Sequence, residues 1–143
     1  MTATIEVAIA DKNPVVRAGL ENLIQRDGRF QISGLYAKGG ALLAQVAKAP
    51  AQIAIVGWSL PDMEAAAILA EVKARKWPSR VIIYTGEGGA DILRRAIKGG
   101  AWGFVSKAEE PAVLLETVAT VARGRLSLPY IDIDLLTYDP LGD

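Results

Sequence analysis

The residues with chemistry to offer stand just past short apolar runs. Asp11 and Lys12 follow Ile5 to Ala10, Thr85 follows Val81 to Tyr84, and Ser106 and Lys107 follow Trp102 to Val105. Gathered in one place, Lys12, Lys107 and Thr85, helped by loop amides, could hold a phosphate or a nucleotide. Asp11 could pair with either lysine or cap the next helix. After the third apolar run, Ile53 to Val56, comes Gly57, which has no side chain, and then Trp58 and Ser59. Other pairings are weaker. Ser106 and Lys107 look like a nucleophile and its base, but adjacent strand residues point to opposite faces. Gly86-Glu87-Gly88-Gly89 lacks the Lys-Ser/Thr of a phosphate-binding loop and reads as a turn. Asp62 and Glu64 follow Pro61 in a loop that heads away from the strand end. The chain has no Cys and no His, which removes disulfides, thiolate nucleophiles, histidine bases and the common zinc sites together. No catalytic constellation remains, and the expectation is a protein that is not an enzyme.

Placing these residues requires a scaffold. Short apolar runs alternate with stretches of helical period, the signature of an α/β fold with a parallel sheet. Strands are expected at Ile5 to Ala10, Phe30 to Tyr36, Ile53 to Val56, Val81 to Tyr84 and Trp102 to Val105. Between them, Asn13-Pro14 opens a first helix with Val16, Leu20, Leu23 and Ile24 on its buried stripe, and Asp27-Gly28 ends it. Further helices are expected over Ala41 to Ala49, Met63 to Lys76 and Asp91 to Lys98, with a last one beginning near Glu109-Glu110-Pro111. Runs apolar throughout, such as Val81-Ile82-Ile83-Tyr84, suit strands covered on both faces. In such a sheet ligands collect at the carboxyl ends of the strands, where the residues of the opening paragraph stand.

The 143 residues, 51% of them hydrophobic, suffice for one core that buries roughly two thirds of the unfolded chain's surface. Sixteen basic residues balance sixteen acidic ones, so there is no general attraction to nucleic acid or anionic membrane. No apolar run approaches the roughly 20 residues that span a bilayer, and the start lacks a basic leader. A soluble, cytoplasmic protein is expected.

The segment Ile53 to Pro61 resembles the phosphoacceptor strand and loop of bacterial response-regulator receiver domains, the CheY-like family, which read as a hydrophobic run, Asp, two residues, then Met-Pro. The resemblance covers about residues 5 to 124. It implies a flavodoxin-like three-layer sandwich whose five parallel strands run in the order 2-1-3-4-5. Receivers place an acidic pair, the acceptor Asp, a Thr or Ser and a Lys at the strand ends. Asp11, Thr85 and Lys107 match those stations, and Phe104 falls where the family often carries an aromatic that changes rotamer on activation. The Ala101-Trp102-Gly103-Phe104 segment looks closest to receivers that carry helix-turn-helix output domains.

Two departures matter. Lys12 replaces the second acid and Gly57 the nucleophile, so Asp11, Lys12 and Lys107 sum to about +1 where the family is negative. Mg²⁺ needs hard oxygen ligands and neutralising charge. The expectation is therefore no bound Mg²⁺, no other cofactor and no phosphoryl transfer, with Lys12 pairing Asp11 in the metal's place. The resemblance then implies a pseudo-receiver in two-component signalling that acts through contacts with a sensor histidine kinase or another response regulator. A small-anion or nucleotide sensor using the vacated site is the alternative.

Residues 1–124 form the expected receiver-like domain and 125–143 an extension. The given sequence shows no helix-turn-helix after Gly124, from which DNA binding is expected to be unlikely. Ile131-Asp132-Ile133-Asp134-Leu135 alternates with a strand's period, and the extension carries a net charge of −3 against +3 for the body. Tyr130, Ile131, Ile133 and Leu135 are thus expected to form an arm that docks on the fourth or fifth helix of a neighbouring copy, where Arg94, Arg95 and Lys98 form a basic cluster, or that exchanges with its arm, giving a homo-oligomer; folding back on its own body is the alternative. The family's usual dimer face, made by its fourth helix, fifth strand and fifth helix, includes that cluster. Trp77 and Trp102 read as packing residues, whereas Trp58, beside the vacated site, could fill it or meet a partner.

Overall fold

A computed structural model describes residues 4–129. Five strands alternate with five helices in the order β1 (Ile5–Ala10), α1 (Pro14–Arg26), β2 (Phe30–Tyr36), α2 (Gly39–Lys48), β3 (Ile53–Val56), α3 (Ala65–Arg75), β4 (Arg80–Thr85), α4 (Ala90–Lys98), β5 (Gly103–Ser106) and α5 (Pro111–Ala122). The strands form one sheet in the order β2-β1-β3-β4-β5, and every neighbouring pair is parallel. This is the flavodoxin-like architecture expected from the sequence.

The alternation of side chains along each strand divides the core in two. Ala8 and Ala10 of β1 and Ala54 and Val56 of β3 face Leu42 and Val46 of α2 and Ile68 and Leu69 of α3. Val7, Ile9, Ile53 and Ile55 face the other way, onto Leu20 and Ile24 of α1 and Leu114, Val118 and Val121 of α5. All four residues of β3 are buried, because helices cover both faces of this central strand.

Local chemistry sets the helix ends. The Asn13 side chain accepts the Val15 amide at 2.9 Å, and Pro14 occupies the first turn of α1, where its missing N–H costs nothing. Helix α2 begins at Gly39 and not at Ala41, because the Asp62 carboxylate, far along the chain, accepts the amides of both Gly39 and Gly40 at 2.9 Å. Those amide bonds hold the Asp62 carboxyl below its usual range. Helix α3 begins at Ala65, two residues later than expected, since Met63 and Glu64 are drawn into a tight loop by an Ser59–Glu64 bridge and the Leu60 amide on the Met63 carbonyl. It ends at Arg75 and is capped by Lys76, which adopts a left-handed conformation with φ 55°. Strand β4 extends by one residue at each end, and β5 starts at Gly103 because the Trp102 amide bonds the Val81 carbonyl before the ladder begins.

After α5 the chain turns at Gly124 and runs parallel to β5. The Ser127 amide donates to the Trp102 carbonyl at 2.8 Å, and the Phe104 amide donates to the Ser127 carbonyl at 3.3 Å.

Candidate functional site

A cleft of about 180 Å³ opens at the carboxyl ends of β1, β3, β4 and β5, lined by Asp11, Lys12, Gly57, Ser59, Thr85, Glu87 and Lys107 among others. The sheet brings these residues together because parallel strands all end on the same side. Asp11 is 2% exposed, and its two carboxylate oxygens divide their work. One accepts the Asn13 amide at 2.9 Å and so shapes the turn into α1, while the other meets the Lys107 ammonium at 2.8 Å. Arg17 reaches back to the Asp11 carbonyl at 2.7 Å. The β1 and β5 ends are thus tied across the intervening strands by one partly buried ion pair.

Gly57 sits beside that pair, its amide donating to the Ala10 carbonyl at 2.9 Å. A Cβ added at Gly57 would lie 2.8 Å from the carboxylate oxygen of Asp11, so any side chain there requires the Asp11 carboxylate to move. The space that a residue at this strand end would claim is already shared by Asp11. Thr85 is buried and accepts the Glu87 amide at 2.9 Å, a local turn that starts the Gly86 to Gly89 loop. Glu87 in turn accepts the single Ser59 O–H, shared between its two carboxylate oxygens at 2.9 and 3.0 Å, which straps the β4–α4 loop to the β3–α3 loop across the cleft mouth.

The pairing expected of Lys12 is corrected here. Lys107 takes the Asp11 carboxylate, and Lys12 lines the cleft from an exposed position. The charge balance changes as well, since Glu87 joins Asp11 against Lys12 and Lys107 and brings the cleft from +1 to neutral. Glu87 was not singled out in the sequence, where it reads as part of a glycine-rich turn. The Thr85-x-Glu87 spacing, suited to a hydroxyl that accepts the amide two residues on, is the signal that places it. Asp62 and Glu64 stay outside, as expected, the first capping α2 and the second pairing Arg95 at 2.9 Å.

Trp58 is 2% exposed, which rules out contact with a partner. It packs in the core beneath Arg95, whose guanidinium lies 5.1 Å from the ring centroid. The Glu64 carboxyl is held below its usual range chiefly by the Arg95 hydrogen bond, with a smaller share from the Trp58 side chain. Tyr84, on the α1 and α5 side, has its hydroxyl pKa raised by burial and secondarily by the Asp11 charge. Phe104 is half-buried against the α2–α3 core, with its backbone paired to Ser127.

The basic cluster expected on α4 is largely neutralised within the molecule. Arg94 pairs with Asp91 at 2.9 Å, Arg95 pairs with Glu64, and Lys98 is exposed. The arm residues Tyr130, Ile131, Ile133 and Leu135 lie outside the described residues. Among the described residues no helix is long and apolar enough to cross a membrane, and no group of three or more His, Cys, Asp or Glu gathers as a metal site.

Residues 7–119 match the response regulator receiver domain family. The chain belongs to this family. A probable transcriptional regulatory protein of Hyphomicrobium methylovorum, SgaR, is 62% identical over 141 residues, which cover 99% of this receiver chain and 67% of that protein. A putative transcriptional regulator of Pseudomonas aeruginosa is 31% identical over 124 residues, covering 87% of this chain and 59% of its own length. Many receivers share the fold. The signal receiver domain of the putative response regulator NarL from Mycobacterium tuberculosis superposes with a TM-score of 0.84 at 24% identity, covering 87% of this chain and 100% of that domain. The chain therefore spans about two thirds of the first of these curated relatives and about three fifths of the second.

Proposed function

We propose that this receiver domain serves two-component regulation of transcription without aspartyl phosphorylation, through contacts that its fixed conformation presents. The observation that carries the reading is the state of the β1 and β3 ends. Gly57 supplies no nucleophile, and the Asp11 carboxylate, which would have to turn toward a metal, is committed to Lys107 at 2.8 Å and to the Asn13 amide. Mg²⁺ prefers several hard oxygen ligands and keeps part of its water, whereas the cleft offers two carboxylates, Asp11 paired with Lys107 and Glu87 bonded by Ser59, beside Lys12. That donor set does not fit the ion. The cross-cleft ties hold the strand ends and their loops in one arrangement. Lys107 joins β5 to β1, Glu87 joins the β4–α4 loop to Ser59, and Arg95 joins α4 to Glu64 and Trp58. A ligand shifts a conformational equilibrium only by its differential affinity for the two states, and these ties bias the equilibrium with no ligand at all.

In this reading the domain is a regulatory module and not an enzyme, and its partners are a histidine kinase, another regulator or a second copy. The names of the relatives attach it to transcriptional regulators, so DNA binding belongs to the proposal as a property of the assembly in which the receiver works. The small-anion reading gains nothing from the geometry. Glu87 makes the cleft neutral, Lys107 is engaged, and among the described residues no buried polar side-chain atom is left without a partner. Intact mass after incubation with Mg²⁺ and a small acyl phosphate tests the proposal. The expected spectrum is that of the unmodified chain, and a single stable phosphoadduct would overturn it.

A further inference from the structure

A cavity of about 470 Å³ lies at the opposite end of the sheet from the Asp11 cleft. It is a groove between the carboxyl end of α3 and the α4–β5 turn, and its chemistry differs from that of the cleft. Trp77 and Trp102 stand half-exposed along it, and Lys73, Lys76 and Arg80 line it with no acidic residue among its lining. Arg80 lies 4.6 Å from the Trp102 ring centroid and donates to the Val121 carbonyl at 3.0 Å, so this aromatic and cationic wall is held rigid. Lys73 and Lys76 are exposed, the second lifted by its left-handed backbone at φ 55°. Half-exposed Trp beside Arg is the composition of interface hot spots, and an all-cationic rim selects an acidic partner.

The sequence contains one segment of matching chemistry. Residues 130–143 carry Asp132, Asp134, Asp139 and Asp143 with no Lys or Arg, interleaved with Tyr130, Ile131, Ile133 and Leu135. The chain leaves its own groove behind. Ser127 is paired in parallel with Gly103, so the backbone is travelling from the Trp102 end of β5 toward the carboxyl ends when it reaches Pro129. We infer that the Trp77–Trp102 groove is a docking site for the acidic, apolar segment 130–143 of a second copy of this chain, in place of the α4 cluster whose arginines are already paired.

Sedimentation of the full chain across a concentration series tests this with a charge swap. The intact chain is expected to dimerise, and the dimer to weaken as salt rises. Lys73→Glu/Lys76→Glu, both at exposed positions, and Asp132→Lys/Asp134→Lys should each be monomeric alone, and an equimolar mixture of the two variants should recover the dimer mass. A chain that is monomeric at every concentration overturns the inference, whether the segment folds onto its own copy or the groove serves another partner. So does a dimer whose mass neither variant changes. Because the groove is remote from Asp11 and Gly57, this result stands apart from that of the phosphodonor experiment.

Discussion

Two neighbouring strand ends have had opposite fates. β1 and β3 pair in register, with Ala10 against Val56, and each delivers its next residue to the same cleft. At the end of β1, Asp11 keeps its carboxylate and is held from two sides, by the Asn13 amide and the Lys107 ammonium. At the end of β3, Gly57 keeps only backbone, and its amide bond to Ala10 is the same kind of contact that any residue would make there. The difference teaches which parts of a receiver are scaffold and which are chemistry. Asp11 and Lys107 have a structural use without any phosphoryl group, because each neutralises the other. A side chain at position 57 has no such use, and with Gly57 there the sheet and both halves of the core are in place.

The sharpest way to break this comparison is to remove the partner of the retained carboxylate. Lys107→Ala leaves Asp11 buried and unpaired. Losing one member of a fully buried pair costs 3–5 kcal/mol, and since the Lys107 side chain is 29% exposed the expected loss is about 2 kcal/mol in urea unfolding. A loss too small to measure would mean that Asp11 is held by Asn13 alone. Gly57→Asp restores a side chain where the Cβ meets Asp11 at 2.8 Å and sets two carboxylates side by side. A destabilisation of about 1–2 kcal/mol is expected from crowding, and Mg²⁺ should raise the melting temperature of this variant while leaving the unaltered chain unmoved. The smallest effect is expected far from the cleft. The Asp27 carboxyl is lowered from 3.8 to about 2, first by the side-chain hydrogen bonds of Arg29 and then by its amide. A depressed carboxyl stabilises the fold above its unfolded pKa, and that contribution fades as the pH falls from about 4 toward 2. Asp27→Asn should therefore flatten this part of the acid limb in thermal melts, with no change near neutral pH in the response to Mg²⁺.

Most of the scaffold was legible because its information is local. The continuous apolar runs of β3 and β4, the Asn13-Pro14 helix start and the glycines after α4 and α5 announce themselves within a few residues. The misplaced boundaries share a different cause. Gly39 and Gly40 read as a break before α2, yet Asp62 caps them from 22 residues or more away, which no local pattern reveals. The site divides in the same way. Asp11, Thr85 and Lys107 were found because parallel strands must end together, and the absence of a side chain at Gly57 is visible in the sequence itself. Which lysine takes Asp11 depends on where the β5–α5 turn aims Lys107, and Lys12 was the natural first choice only because it is adjacent. The Glu87–Ser59 and Arg95–Glu64 ties join residues 28 and 31 apart and were equally hidden. The Asp91–Arg94 pair, three apart on one helix, could have been read and would have tempered the expectation of a basic patch on α4.

The brief pairing of Ser127 with Gly103 also bears on how the sheet avoids sticking to its neighbours. An outer strand with bare N–H and C=O groups is a template for any passing extended chain. Here the residue past the last helix lies on that template and uses the carbonyl of Trp102 and the amide of Phe104 itself. A chain cut at Gly124 would keep all five described helices and all five described strands yet uncover the outer rim of β5. Self-association of such a fragment would then report an opened sheet, a kind of contact that the intact molecule forbids to itself.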